Sequence, residues 1–229
     1  MNTPTPNRID KLNQLTTPLL EWYSSAARDL PWRTPASETH RPDPYHVWVS
    51  EIMLQQTRVE AVKGYYARFL TAFPNIKSLA NAPQDELMKL WQGLGYYSRA
   101  NNLKRAAIEI EERFHGEFPR TYQEILSLPG IGEYTAGAIA SIALGEAVPA
   151  IDGNVYRIYT RLFEDGSDIT KAAFKKQLRS ELLQTIPPGT PGIYNQAWMD
   201  IGATICQPNG APLCDKCPFT SRCQAHIHD

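Results

Sequence analysis

Apolar residues recur at helical spacing along most of the chain. Val62, Tyr66, Phe69 and Phe73 mark one face of a helix. Leu103, Ala106, Ala107, Ile110 and Phe114 mark another, with Gly116 as its stop. A shorter helix runs from Asp85 to Trp91 and ends at Gly93. The stretch Leu126 to Gly132 reads LSLPGIG, a tight turn, and Ala136 to Leu144 continues as a helix of small residues. Val155 to Phe163 forms a further helix with Asp152 and Asn154 at its start, and Tyr194 to Ile205 forms the last, after a loop rich in Pro and Gly. Strand signals are weak and no repeat of fixed period is present, so the class is all-α. The loose stretches are the first residues, MNTPTPNR, and the end, HIHD.

Composition agrees with a packed protein. The 229 residues are 42% hydrophobic and 21% charged, enough for one large domain or two small ones sharing a cleft. The N-terminus lacks the apolar core of a secretory signal, and no run approaches roughly 18 apolar residues. A soluble, intracellular protein with no membrane segment is expected. The net charge of -1 counts against a nucleic-acid binder, because phosphate neutralisation needs Lys and Arg. A basic face can still be concealed, with Arg99, Lys104, Arg105, Lys171, Lys175, Lys176 and Arg179 as candidates. From charge alone, solvated helix faces are the better reading of these residues.

All four cysteines lie between Cys206 and Cys223, spaced C-x7-C-x2-C-x5-C. A disulfide framework would spread them along the chain, so clustering points to a metal site in a reducing compartment. The x2 pair can chelate from one turn, and four thiolates complete a tetrahedral set. Structural zinc and a [4Fe–4S] cluster are equally compatible with this spacing. Either would stabilise a loop too short to fold alone.

Two glycines in Leu128-Pro129-Gly130-Ile131-Gly132 allow a close backbone approach, and the following helix start can attract phosphate. A helix-hairpin-helix grip on DNA and an ordinary helical turn both fit this pentapeptide, the second slightly better.

Longer blocks change the picture. LPWR at 30–33, SEIMLQQT at 50–57, GLGYYSRA at 93–100, LPGIGEYTAGAI at 128–139, DGNVYRI at 152–158 and the cysteine loop occur in this order. Together they resemble the catalytic domain of MutY-type adenine DNA glycosylases, within the endonuclease III superfamily, from about Leu30 onward. The resemblance implies a two-lobed helix-hairpin-helix fold with DNA in the cleft between lobes. Residues 34–145 would form a six-helix domain, and residues 1–33 with 146–229 a domain around a [4Fe–4S] cluster on Cys206, Cys214, Cys217 and Cys223. Structural zinc becomes the alternative. The hairpin Gly130, Ile131 and Gly132 would hold the DNA backbone.

The resemblance also implies a reaction. Cleaving an adenine N-glycosidic bond releases a poor leaving group as an oxocarbenium-like sugar forms, the task that paired carboxylates perform in glycoside hydrolysis. Glu51 would protonate the departing adenine and later help activate water. Asp152 would stabilise the sugar cation. Tyr134 would support the pair and Asn154 would orient the site. Asp152 also has the position of a plain helix N-cap, and capping is compatible with catalysis. Glu51 lies between Trp48 and Leu54 on an apolar helix, where a carboxylate is unfavourable unless paired. An unshifted Glu, of pKa about 4.3, would be protonated in only roughly one molecule in 500 at pH 7. Burial among Trp48, Ile52 and Leu54 is therefore expected to raise it. Bifunctional relatives carry a Schiff-base lysine where this chain has Tyr134, and a phenol cannot form that imine. Monofunctional base removal follows.

Flipping a base leaves a hole in the duplex. Gln56 and Tyr96 match the family's intercalating positions, while Tyr97 reads as a core aromatic. Around the adenine the resemblance suggests Trp32, Arg33, Leu54 and Gln196. An amide suits adenine because it pairs in both directions, and Trp32 offers either a stacking surface or a core side chain.

The chain departs from the family pattern in three places. It ends soon after Cys223, where members usually continue into a NUDIX-like domain that recognises 8-oxoguanine, which leaves a strong preference for the oxidised base open. The first cysteine gap is seven residues, one more than expected. Residues 34–44 form a polar linker of open role. The expected partner is double-stranded DNA with an A·G or A·8-oxoG mispair, met by a monomer in the bacterial cytoplasm. The alternatives are a thymine or uracil mismatch glycosylase acting on G·T, and a non-catalytic iron–sulfur module that binds DNA.

Overall fold

The computed structural model describes residues 7–33 and 41–228, and the linker of residues 34–44 lies largely outside them. Among the described residues all regular structure is helical, as expected. The chain divides into two units, one from Met1–Arg28 with Ala147–Asp229 and one from Asp29–Glu146.

The unit of Asp29–Glu146 carries α2 (Pro44–Leu54), α3 (Val59–Ala72), α4 (Ile76–Ala80), α5 (Gln84–Trp91), α6 (Ser98–Phe114), α7 (Tyr122–Leu126) and α8 (Glu133–Ile139). Asp43 starts α2 by accepting the N–H of Tyr45, and Pro44 occupies the first turn, where its missing N–H is no loss. Capping boxes open α4 at Asn75 and α7 at Thr121. His115 closes α6 in the left-handed region. The small-residue helix expected to run to Leu144 widens into a π-turn at Ala140–Leu144. The core forms around Trp48, Phe69 and Trp91, with Phe69 and Trp91 edge to face at 6.0 Å.

The other unit joins α1 (Arg8–Ala26), which precedes that segment, to α9 (Gly153–Phe163), α10 (Ala172–Leu183), α11 (Pro191–Thr204) and α12 (Gln224–Ile227). Of the two stretches read as loose, only residues 7–8 and 226–228 are described, and these lie at helix ends. Asn7 caps α1, and His226 and Ile227 close α12. Leu12, Leu15 and Leu19 of α1 pack with Ile158, Leu162, Leu178 and Trp198. A buried ion pair adds to this packing. Arg28 meets the Asp200 carboxylate at 2.6 Å and also donates its backbone N–H to it at 3.1 Å. Asp200 is 0% exposed, so its charge depends on those donors. Among the described residues no helix is long and apolar enough to cross a membrane.

Removing one partner of a buried pair is expected to destabilise by about 3 kcal/mol. Arg28→Ala should lower the urea midpoint by that equivalent, and adding Asp200→Asn should recover part of it. Equal midpoints for wild type and Arg28→Ala would show the pair to be dispensable.

Candidate active site

Residues Val47 to Met53 of α2 are all buried, and Glu51 lies in their midst at 7% exposure. A carboxyl in such a place needs a polar partner. Tyr134 provides one, its hydroxyl donating to Glu51 Oε2 at 2.6 Å. Tyr134 is in the first turn of α8, next to Thr135, which accepts a bond of 3.3 Å from Gln55 Nε2 at the end of α2. The two helices thus meet through two side-chain bonds.

The hairpin before α8 sets where Tyr134 sits. Gly130 has φ +76°, and a Cβ there would lie 2.5 Å from the Asn102 Cβ, so backbone conformation and space both demand glycine. Ile131 is buried and anchors the turn, whose closing bond runs from Ile131 N–H to Leu128 C=O. Gly132 caps α8 without a side-chain bond to its first N–H groups.

Asp152 is the N-cap of α9, its Oδ1 accepting the Val155 N–H at 2.9 Å. Asn154 Nδ2 donates to Oδ2 at 2.6 Å. Burial pushes the Asp152 carboxyl above its usual range, outweighing these bonds and nearby Arg157, which pull it down. Arg157 extends the network. Its Nη2 donates to Asn154 Oδ1 and to the Gly202 carbonyl, each at 2.8 Å, and its Nε donates to the Cys206 carbonyl at 2.9 Å. Gly202 makes room for this, since a Cβ there would fall 2.3 Å from the Asn154 Cβ. Neither Arg157 nor Gly202 was found from sequence. The available signal for Arg157 was its place three residues after Asn154, one helical turn along the same face.

Cys206, Cys217 and Cys223 pack against the core of α9 and α11, beside Phe219, which lies against Trp198 at 5.3 Å. Burial pushes the Cys217 thiol up to about 12, and the thiols of Cys206, Cys223 and Cys214 add to the rise. Cys214 is raised by burial, Cys223 and Cys206. Arg161 donates to Cys206 Sγ at 3.1 Å. Among the described residues no group of three or more His, Cys, Asp or Glu is arranged to hold a metal ion. Neighbouring thiols thus oppose ionisation of Cys214 and Cys217, a repulsion that a cationic centre held by thiolates would reverse.

The other candidates differ in exposure. Gln56 and Tyr96 are exposed, at φ +54° and +46°. Trp32 is buried edge-on to Tyr66 at 5.5 Å. Arg33 and Leu54 are half-buried, and the Arg33 backbone N–H closes a turn onto Leu30. Gln196 is half-buried, its amide donating to the Gly192 carbonyl within α11 at 3.2 Å. Two expectations are corrected. Tyr97, read as a core aromatic, is exposed because it caps the start of α6 from outside. Arg99, read as a solvated helix-face residue with a basic face as the other reading, is buried beneath two turns. Of the remaining basic residues, Arg105, Lys171, Lys175 and Lys176 are exposed.

Comparison with known proteins identifies the family. A family profile described as HhH-GPD superfamily base excision DNA repair protein matches residues 49–184. Adenine DNA glycosylase of Mus musculus is 45% identical over 211 residues, covering 91% of this chain and 41% of the mouse protein. Adenine DNA glycosylase of Buchnera aphidicola subsp. Baizongia pistaciae is 39% identical over 212 residues, covering 92% of this chain and 58% of that protein. The chain thus spans about two fifths of the mammalian relative it matches. Among solved structures, a thermostable thymine-DNA glycosylase aligns with TM-score 0.85 and 28% identity over 97% of this chain and 100% of that one. A trapped endonuclease III–DNA covalent intermediate aligns with TM-score 0.78 at 20% identity over 97% and 99%, a likeness of fold. From the match over residues 49–184 and the hairpin that precedes α8, the chain belongs to the HhH-GPD superfamily of base excision DNA repair proteins.

Proposed function

We propose that the protein is a monofunctional DNA glycosylase that removes adenine opposite guanine or 8-oxoguanine. The observation that carries this reading is the buried Glu51 carboxyl held by the Tyr134 hydroxyl at 2.6 Å. In this reading the buried Glu51 carboxyl serves as the proton donor, and Tyr134 stands where Schiff-base chemistry would need an amine. The adenine-glycosylase names of the relatives at 45% and 39% identity support the choice of base.

The mechanism assigns one role to each group. The adenine is flipped out of the stack, which costs a few kcal/mol. Gln56 and Tyr96 enter the space it leaves. By resemblance to the family, contact with the base is assigned to Trp32, Arg33, Leu54 and Gln196, and contact with the DNA backbone to Gly130, Ile131 and Gly132. Glu51 protonates adenine as the glycosidic bond breaks, with Tyr134 holding the carboxyl in place. Ionised Asp152 stabilises the developing sugar cation, and Asn154 orients its carboxylate. Water, activated by Glu51 after proton transfer, completes hydrolysis to an abasic sugar. Cys206, Cys214, Cys217 and Cys223 would hold a [4Fe–4S] cluster whose role is structural, with zinc the alternative centre.

A thymine glycosylase is the second reading, favoured by the thymine-DNA glycosylase structure at 28% identity. Duplexes with A·G, A·8-oxoG and T·G separate the two. Adenine release from the first two is expected, with strand breaks only after alkali. Thymine release, breaks without alkali, or no base release would each refute the adenine reading. Glu51→Gln is expected to slow release by about 10²–10⁴, the usual reach of general acid catalysis.

Asp152 generates a pH prediction. Its folded pKa is raised, so its protonated form favours folding, and that contribution is lost as pH rises through the folded value. At neutral pH the ionised carboxylate therefore weakens the fold. Asp152→Asn should raise the melting temperature at pH 7 while abolishing release, and the gain should shrink toward pH 4. A melting temperature lowered at pH 7 would contradict this. In wild type the acid limb of kcat should lie above the ordinary aspartate range of about 3.9.

Metal removal gives a further test. The as-isolated protein is expected to show the broad visible absorption of an iron–sulfur centre, and Cys217→Ser to lose it together with thermal stability. Stoichiometric zinc without visible absorption would assign the alternative centre.

A further inference from the structure

We propose that Arg99 is a positioning residue for base extrusion: its buried guanidinium ties the end of α2 to the turn before α6 and so holds Gln56 and Tyr96 outward in left-handed conformations. The proposal rests on the reading that this protein extrudes adenine from a duplex.

Arg99 is 8% exposed, and its partners are oxygens of two separate turns. Nη1 donates to the carbonyls of Ile52, Met53 and Gln55 at 2.7, 2.9 and 2.7 Å. The carbonyls of Ile52 and Met53 lie in the last turn of α2, where a helix leaves such groups unpaired and favours a cation. Nη2 donates to the carbonyls of Leu94 and Gly95 at 3.1 and 3.2 Å and to Thr57 Oγ1 at 3.3 Å. The guanidinium carbon is 5.4 Å from the Trp91 ring centre and 5.6 Å from that of Tyr96. Trp91 closes the same turn by donating to the Gly95 carbonyl at 3.1 Å. One forked cation therefore fastens residues 52–57 to residues 94–96. A lysine, with a single ammonium, cannot reach both sets.

Backbone conformation shows why the fastening matters. Leu54 to Thr57 form a type II turn, with Gln55 at φ -57° and ψ 115° and the Thr57 N–H bonded to the Leu54 carbonyl. Gln56, at φ +54°, occupies the place where such turns take glycine. Gly93, at φ +100°, fills that place in the neighbouring turn closed by Leu94 and Trp91. Tyr96 is likewise left-handed, and 60% exposed. A non-glycine residue is disfavoured in this region; His115 and Glu164 meet that cost as helix C-caps, whereas Gln56 and Tyr96 sit on the turns that Arg99 fastens. A stitch serving stability alone would be better built with glycine at both positions. Keeping an amide and a phenol there, pointing into solvent on turns locked by one arginine, presents two side chains to a partner.

The test is a double-mutant cycle with two substrates. Arg99→Lys, Tyr96→Ala and the double variant are compared in single-turnover adenine release. One duplex carries A·G in full stacking. The other carries adenine opposite an abasic gap, where extrusion is easier. A 2-aminopurine beside the adenine reports extrusion without chemistry. Arg99→Lys should slow release from the A·G duplex about tenfold, within the coupling range of one hydrogen-bond network, and should weaken the 2-aminopurine signal. The loss should be smaller on the gapped duplex and nearly absent, within about twofold, in the Tyr96→Ala background. Equal losses on both duplexes, or losses that multiply in the double variant, would overturn the role and leave a structural stitch. If Arg99→Lys does not fold, Thr57→Val removes only one acceptor and should show the same substrate pattern at smaller size; equal losses there count against the proposal too. Wild type that frees no adenine would overturn the functional reading itself.

Discussion

A carboxyl group in the middle of a core helix constrains much of what surrounds it. Glu51 occupies a buried register of α2 in which every neighbour from Val47 to Met53 is also buried. Such a group is tolerated only with a hydrogen-bonding partner in place, and that partner comes from another helix. Tyr134 reaches Glu51 because α8 starts where it does, and α8 starts there because the hairpin turns sharply at Gly130 and pins Ile131 inside. The same short segment would therefore take the DNA backbone and place the phenol. Displacing the turn would disturb both.

Elsewhere the protein holds the proposed site residues in states that folding alone would not select. Asp152 is a helix cap, an ordinary role, but one buried enough to oppose its own charge. Gln56 and Tyr96 carry side chains in left-handed backbone, at on the order of 1 kcal/mol or more each. In both units arginine supplies the compensation. Arg157 connects Asn154 to Gly202 and the Cys206 carbonyl, and Arg99 gathers carbonyls from two turns. A planar fork with several donors can satisfy several acceptors at once, which suits it to such junctions.

Much of this was legible in the sequence. α3, α5, α6, α9 and α11 follow from apolar spacing and from Gly and Asp at their ends. α1 was not, since Pro18 interrupts its pattern although Leu12, Leu15 and Leu19 keep helical spacing on both sides. α10 showed first as a run of charge, while Phe174, Leu178 and Leu182 supply its buried face. The pairing of Glu51 with Tyr134 spans 83 residues, and no local pattern encodes it. It came from motif resemblance, as did the pairing of roles. The burial of Arg99 was hidden for a different reason. Arginine ordinarily reads as surface, and only the carbonyls of two turns folded around it justify its place inside. Asp152 was legible as a cap from one residue and its position, because capping is local.

The account depends on Glu51 meeting an extruded adenine. The most direct measurement is a crystal structure of the protein bound to a duplex carrying a fluorinated, non-cleavable adenosine opposite guanine. The account predicts the adenine out of the stack, with the Glu51 carboxyl within about 3.2 Å of a ring nitrogen and still bonded to Tyr134. An adenine left stacked, or one extruded into a pocket that Glu51 does not reach, would contradict it.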